Sequence, residues 1–336
     1  MIDFRYHVVS LVAVFIALAV GIVLGAGPLR GQLSDTIEGQ VAELGEERNV
    51  LRADLALQER RADTREDILD EITPDLVAGL LSDQSVAVVE LPDADTDAAD
   101  DLALAVTQAG GTVAPRLQIL NDWDDPELAE ERAAAAQEMS AVWGGGFTPP
   151  ENATAEATLA TAITGWGPDG SVYSGDLGQS ILEEAGFISV SRSASGAMVP
   201  GTSAIEPVTM VILVAGSSPE PENADTNAEP QEASLVQALG QTDSAILVAG
   251  EGTEQPSGDV ETLAAHPLLT TVRADSDLAS EVSTVDNADS ALGRLSVVWS
   301  LAWLASDQVG HFGFADDAGA SSAPDPVTTN DRVPTP

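Results

Sequence analysis

Only a few residues in this chain have side chains suited to chemistry. It has three histidines, His7, His266 and His311, with no cysteine and no lysine. Without thiols, disulfides, thiolate metal sites and cysteine nucleophiles are excluded. Without lysine, Schiff-base chemistry and a P-loop are excluded too. No GxGxxG follows the first strand, and no GxSxG occurs. The histidines are too dispersed to form a local zinc cluster. His266 precedes Pro267 at a helix boundary, where a histidine can serve as a cap. His311 lies in Gly-His-Phe-Gly, between Gly310 and Gly313, where it either bonds a backbone carbonyl in a turn or lines a site.

The densest run of short polar side chains is Ser-Thr-Val-Asp-Asn, from Ser283 to Asn287. Asp286 and Asn287 can form Asx turns or cap the helix that follows. The functional alternative is a polar pocket of Thr284, Asp286, Asn287 and His311 at the rim of a sheet. Copper(I) prefers Cys, Met and His. The methionines are Met1, Met139, Met198 and Met210, with no MxxM cluster. Met210 reads as strand core, and Met139 lies on a helix. Carboxylates at Asp122 to Asp125 could hold harder cations loosely. The residues themselves assign no metal ligands, and with no nucleophile–base pair in view the chain reads as non-enzymatic.

The elements that must position these residues follow from composition and pattern. The chain has 336 residues, 13 basic against 55 acidic, for a formal net charge of −42. All the basic residues are arginine. Such a surface repels phosphate backbones, which argues against a nucleic-acid partner. It fits either salty surroundings or attraction for cations. From Val8 to Gly27 no residue is charged. About twenty helical residues match a hydrocarbon core of about 30 Å. A cleaved signal peptide would have a shorter apolar region, of about 7–15 residues. The expectation is therefore an uncleaved, single-pass anchor with the N terminus cytoplasmic and the large C-terminal part extracytoplasmic.

Gly31 to Thr73 reads as a helical stalk. Ile37, Val41, Leu44, Arg48, Leu51, Leu55, Gln58, Ala62, Arg65 and Leu69 alternate by four and three, a heptad seam. Ile37, Val41, Leu44, Leu51, Leu55 and Leu69 are its apolar members and the expected contacts of a homodimer or higher oligomer. Arg48, Gln58 and Arg65 interrupt it, so the alternative is a solitary helix packed on its own globular part. About 33 helical residues would hold that part about 50 Å from the membrane. Pro74 is expected to end the helix.

Beyond it, short apolar strands alternate with helices. Strands are expected at Ser85–Leu91, Thr112–Leu120, Phe187–Val190, Val208–Ala215 and Ser244–Ala249. Helices are expected at Asp97–Ala109, Pro126–Ser140, Ala153–Ile163, Leu177–Ala185, Gln231–Leu239, Val260–Ala265 and Ser290–Ser306, with an exposed loop at Ser217–Glu229. The fold class is α/β: a transmembrane helix, a coiled-coil stalk, then a Rossmann-like parallel sheet with helices on both faces. The expected boundaries are an anchor at 1–30, a stalk at 31–73, an α/β domain at 74–314 in halves 74–200 and 201–314, and a disordered tail at 315–336.

The string MIDFRYHVVSLVAVFIALAVGIVLGAGPL, Met1 to Leu29, resembles the start of the actinobacterial copper transporter MctB family. The resemblance continues in Ser283 to Asn287, in Gly293 to Leu295 and in Gly310 to Gly313. The family usually has a tyrosine in the last motif. Here it is Phe312, which removes any role for a hydroxyl. The resemblance implies one of two functions. One is copper transport or efflux, with an outer-envelope location and copper as the associated ion. The other is that of the family's corynebacterial septal factor SteB: an anchored scaffold that acts in cell division with a SteA-like membrane partner and promotes activation of cell-wall hydrolases. The physical reading favours the scaffold, because one apolar helix cannot enclose a pore alone and the strands do not alternate as a membrane barrel requires.

Overall fold

The computed structural model describes residues 4–26, 28–144, 146–150, 154–191, 207–216, 232–251, 253–257, 260–264 and 266–326. It divides into two compact units, Met1–Arg65 and Glu66–Pro336.

The first unit contains helix α1 (Phe4–Ala26) and most of helix α2 (Pro28–Val77). Within α1, Tyr6–Val23 is long and apolar enough to cross a membrane, and none of it is buried by protein. The expected end of α2 at Pro74 needs correction, since the helix continues through Pro74 to Val77. A proline this close to a helix end removes a single intrahelical donor. Val77 and Leu81, both fully buried, hold the last turn against the core of the second unit.

The second unit begins with β1 (Ser85–Glu90), α3 (Thr96–Gln108), β2 (Thr112–Val113) and β3 (Arg116–Ile119). Two 3-10 turns (Asn121–Trp123 and Pro126–Leu128) lead to α4 (Ala129–Trp143), α5 (Thr154–Thr164), α6 (Gly175–Glu184) and β4 (Ile188–Ser191). Then come β5 (Met210–Val214), α7 (Glu232–Leu239), β6 (Ala245–Ala249) and a separate pair, β7 (Thr253–Ser257) and β8 (Val260–Ala264). The last elements are α8 (Pro267–Ala274), α9 (Leu278–Glu281), β9 (Val282–Val285), α10 (Ala291–Leu304) and β10 (His311–Phe312).

The sheet runs β10-β9-β6-β5-β1-β3-β4, with β2 also on β1. It is parallel except for β4, which runs antiparallel to β3. The strands are near-continuous apolar runs because both faces are covered. In β1, Ala87 and Val89 enter a core shared with α4 to α8, whereas Val86 and Val88 enter one shared with α3, α10 and the end of α2. The expected parallel α/β sheet with helices on both faces is thus present, with one antiparallel edge strand. Strands from 74–200 and from 201–314 share this one sheet, joined where β5 pairs with β1.

Three further expectations differ from the structure. Thr112–Leu120 forms two strands, because Pro115 has no N–H for the ladder. Val260–Ala265 was expected as a helix, but β8 pairs antiparallel with β7, Ser257 opposite Val260. The intervening Gly258-Asp259 has the composition of a two-residue hairpin loop. The expected disordered tail is folded over 315–326: Gly313 N–H bonds Ala320 O, Trp303 Nε1–H bonds Pro324 O, and Ala315 and Ala323 are buried. Residues 327–336 and the expected loop at 217–229 lie outside the described residues.

Candidate functional site

The end of β9 sets the expected polar group. Thr284 faces the neighbouring edge strand, and Asp286 follows the last strand residue; both are fully buried. His311 lies opposite Thr284 on β10. The residue that joins them, Arg273 on α8, was not among the expected site residues. Its Nε–H donates to Thr284 Oγ1 at 2.8 Å, and Nη2 lies 2.9 Å from Asp286 Oδ2. Nη1 meets Asp317 Oδ1 at 2.7 Å, and Nη2 also donates to Phe312 O at 3.1 Å. Asp286 Oδ1 accepts the Phe314 N–H at 2.6 Å.

Thr284 Oγ1 lies 3.0 Å from His311 Nδ1, and His311 Nε2 lies 3.2 Å from Ala279 O. The Ala279 carbonyl can only accept, which assigns the ring proton to Nε2; in the neutral imidazole Nδ1 then accepts from the Thr284 hydroxyl. Burial, with the nearby Arg273 charge, holds His311 below the usual histidine range. His311 therefore does bond a backbone carbonyl. Asn287 stands apart: its Nδ2–H reaches Ser290 Oγ at 3.3 Å, and its buried Oδ1 has no hydrogen-bond partner among the described residues.

The Arg273 side chain is only 4% exposed. Its guanidinium fills the space between Thr284, Asp286 and Asp317. The expected pocket is thus a packed ionic core in which Thr284, Asp286 and His311 meet, with Asn287 beside it. The sequence did hold one signal for Arg273: it is the only charge in the α8 segment PLLTTVRA.

The motif glycines serve the same closure. A Cβ on Gly313, whose φ is +138°, would lie 1.9 Å from Asp286 Oδ1. A Cβ on Gly293 would lie 1.7 Å from Asn287 O, so α10 can approach the loop after β9 only with glycine there. The N-terminus of α10 is also held by the end of α2. Glu66 Oε2 accepts the Ala291 N–H at 2.7 Å, and Asp70 Oδ1 lies 2.7 Å from Arg294 Nη2. An anion at a helix N-terminus is favoured by the helix dipole.

The strand order reverses between β1 and β5, where open α/β sheets commonly bind ligands. Here the chain itself occupies that crevice. Leu91 N–H bonds Val214 O, and a Cβ on Gly216 would lie 2.2 Å from Pro92 O. The loop is LPDADT, without glycine.

A cleft of about 220 Å³ lies elsewhere, lined by Trp123, Asp124, Arg132, Glu156 and Ser234. Burial, with Glu232 and Glu156 nearby and Arg132 opposing, pushes the Asp124 carboxyl up to about 6. Its ordinary value is 3.8, so between pH 3.8 and 6 the folded chain keeps a proton that the unfolded chain has lost. The ionised group therefore disfavours the fold above pH 6, and this cost disappears as pH falls toward 3.8. Asp124→Asn is expected to stabilise the chain at pH 8 by about 1–2 kcal/mol after allowance for solvent screening, and to change nothing near pH 3.5. Urea unfolding at the two pH values checks this; equal shifts at both would reject it.

The remaining candidate ligands have structural positions. His266 caps α8, its Nδ1 accepting the Leu268 N–H at 3.2 Å, and burial pushes its pKa down to about 4. Asp125 caps the second 3-10 turn through Glu127 N–H. Met139 and Met210 are core residues, 1% and 2% exposed. Met1 and Met198 lie outside the described residues. Among the described residues, no three His, Asp or Glu side chains converge to hold a metal ion.

A family profile described as "Copper transport outer membrane protein, MctB" matches residues 1–323. The chain belongs to this family. The MctB match takes in the apolar helix, the ionic core and the folded segment as far as Ala323. The copper transporter MctB of Mycobacterium tuberculosis (strain H37Rv) is 27% identical over 334 residues, covering 93% of this chain and 96% of that protein. The copper transporter MctB of Mycobacterium leprae is 26% identical over 344 residues, covering 96% of this chain and 100% of that protein. These MctB relatives are named as transporters. Among the described residues, α1 is the one helix long and apolar enough to cross a membrane, which accords with a single-pass topology and a large extracytoplasmic C-terminal part.

Proposed function

We propose that this chain is an anchored, extracytoplasmic component of copper transport out of the actinobacterial cell. The observation that carries the reading is the MctB match across 1–323, nearly the whole chain. In this role α1 holds the protein at a membrane, and the Rossmann-like α/β part works outside it. One helix cannot line a passage alone, so copper would cross between several copies or through a partner. Copper is cargo here. Of the described soft donors, Met139 and Met210 are buried in the cores, and the Nδ1 of His266 and both nitrogens of His311 are engaged. The described α/β part is thus better suited to assembly than to holding the ion.

Disrupting the gene is expected to raise cell-associated copper under copper load. The full chain should restore the balance, and a form lacking Val8–Gly27 should not. Unchanged copper content on disruption would overturn the reading.

A second reading is favoured by one feature, the exposed apolar stripe of α2. In it the chain is an oligomeric scaffold, with α2 as a coiled-coil stalk, linked to septal hydrolase regulation through a SteA-like membrane partner. Defective cell separation with normal copper balance, in the same disruption, would select it.

A further inference from the structure

We infer that α2 pairs with α2 of a second copy of this chain, parallel and in register, over residues 41–65. The inference stands independently of the copper reading. Val41, Leu44, Leu51 and Leu55 recur at spacings of three, seven and four, which keeps them on one stripe of the helix. They are 63%, 62%, 62% and 60% exposed. Large aliphatic side chains this exposed, at heptad spacing, form the face of a helix that lacks its partner. Ile37 belongs to the same register but falls outside the residues whose side chains are described.

Three features commit the face to a second copy. The stripe is self-complementary: alternation by three and four lets two identical helices interlock side chains along one seam. The flanking charges suit a parallel pair. Glu47 just precedes a seam position and Arg52 just follows one, so in register each Glu47 faces Arg52 of the other copy. Arg48, inside the seam, lies beside the other copy's Glu47 in the same arrangement. The anchor sets direction, because two copies entering α2 from α1 at one membrane run the same way and start level.

Other residues keep the pairing weak. Gln58 and Arg65 occupy seam positions, and Asp54 faces Glu59 of the other copy. A soluble α2 peptide would pair poorly for that reason, whereas two copies confined to a membrane meet at a high effective concentration.

The chain has no cysteine, so an introduced thiol is the only one present. The test uses the full chain in membranes, carrying Leu44→Cys, Leu51→Cys, Glu46→Cys or Ala53→Cys singly, under mild oxidation. Leu44→Cys and Leu51→Cys lie on the seam and are expected to give covalent dimer at least about five-fold more efficiently than Glu46→Cys and Ala53→Cys on the outer face. Using two seam positions separates a pairing defect from a single damaged variant. Equal yields at all four positions, no dimer at either seam position, or seam thiols joined to a different protein would each overturn the inference.

Discussion

Arg273→Met is expected to destabilise the Glu66–Pro336 unit by about 3–5 kcal/mol, the usual cost of stranding one partner of a buried ion pair. The guanidinium is 4% exposed, and Asp286, its partner, is fully buried. Methionine keeps much of the volume but supplies no donor to Thr284, Asp286, Asp317 or the Phe312 carbonyl. Arg273→Lys should recover little, because one ammonium cannot match a planar fork reaching four acceptors. The double change Arg273→Met with Asp286→Asn should regain part of the loss, since no net charge is then left buried. Urea unfolding of the full chain, followed by tryptophan fluorescence, measures each step. A loss below about 1 kcal/mol for Arg273→Met would mean the pair is not the organising contact of this edge.

The second large effect is expected from one added methyl group. Gly313→Ala should cost at least about 3 kcal/mol, above the usual range for overpacking, because the methyl meets a buried carboxylate that has no free direction to move. The backbone adds to the cost, since φ at Gly313 is +138°, where side chains are rarely tolerated. Gly293→Ala should behave alike through its approach to Asn287 O. Gly45→Ala is the control: nothing lies within 4 Å of its Cβ, and a helix gains from the exchange. If Gly313→Ala and Gly45→Ala give the same stability, the segment 313–326 does not close the sheet edge as described.

The parts legible in the sequence were those with one strong physical signature. The runs SVAVVE, MVILV and AILVA are short, bounded and rich in β-branched residues, the pattern of strands buried on both faces, and each is a central strand of the sheet. The apolar helix near the start was equally plain. The hairpin of β7 and β8 was missed because TEQPS and VETLA do not alternate apolar with polar, leaving Gly258-Asp259 as the only cue. The folded stretch 315–326 was missed because its composition is that of a loop. It is held by backbone hydrogen bonds, the Trp303 indole on Pro324 O, the Asp317–Arg273 pair and two buried alanines, and none of these leaves a mark in composition. Asp286 and His311 could be singled out as unusual in their neighbourhood. Their role could not, because the deciding residue, Arg273, sits on a separate helix and looks like the solvated end of an amphipathic helix. The spacing of Thr284, Asp286 and Asn287 brought three candidates to one sheet edge but could not say whether the space between them was open or filled.

The central position of β1 governs when this protein can fold. Its main neighbour is β5, and the bond from Ser85 N–H to the Thr209 hydroxyl spans 124 residues. Contacts so distant along a chain slow folding, because the loop must close before pairing compensates for it. During transfer across a membrane, β1 arrives long before the strand that covers it. Until then the edge from Val86 to Glu90, whose side chains are all buried in the finished protein, stays open to any passing strand. Export of this chain therefore includes a waiting period, and its yield in cells should depend on whatever holds β1 during that interval. A fragment cut after residue 200 would never leave that state.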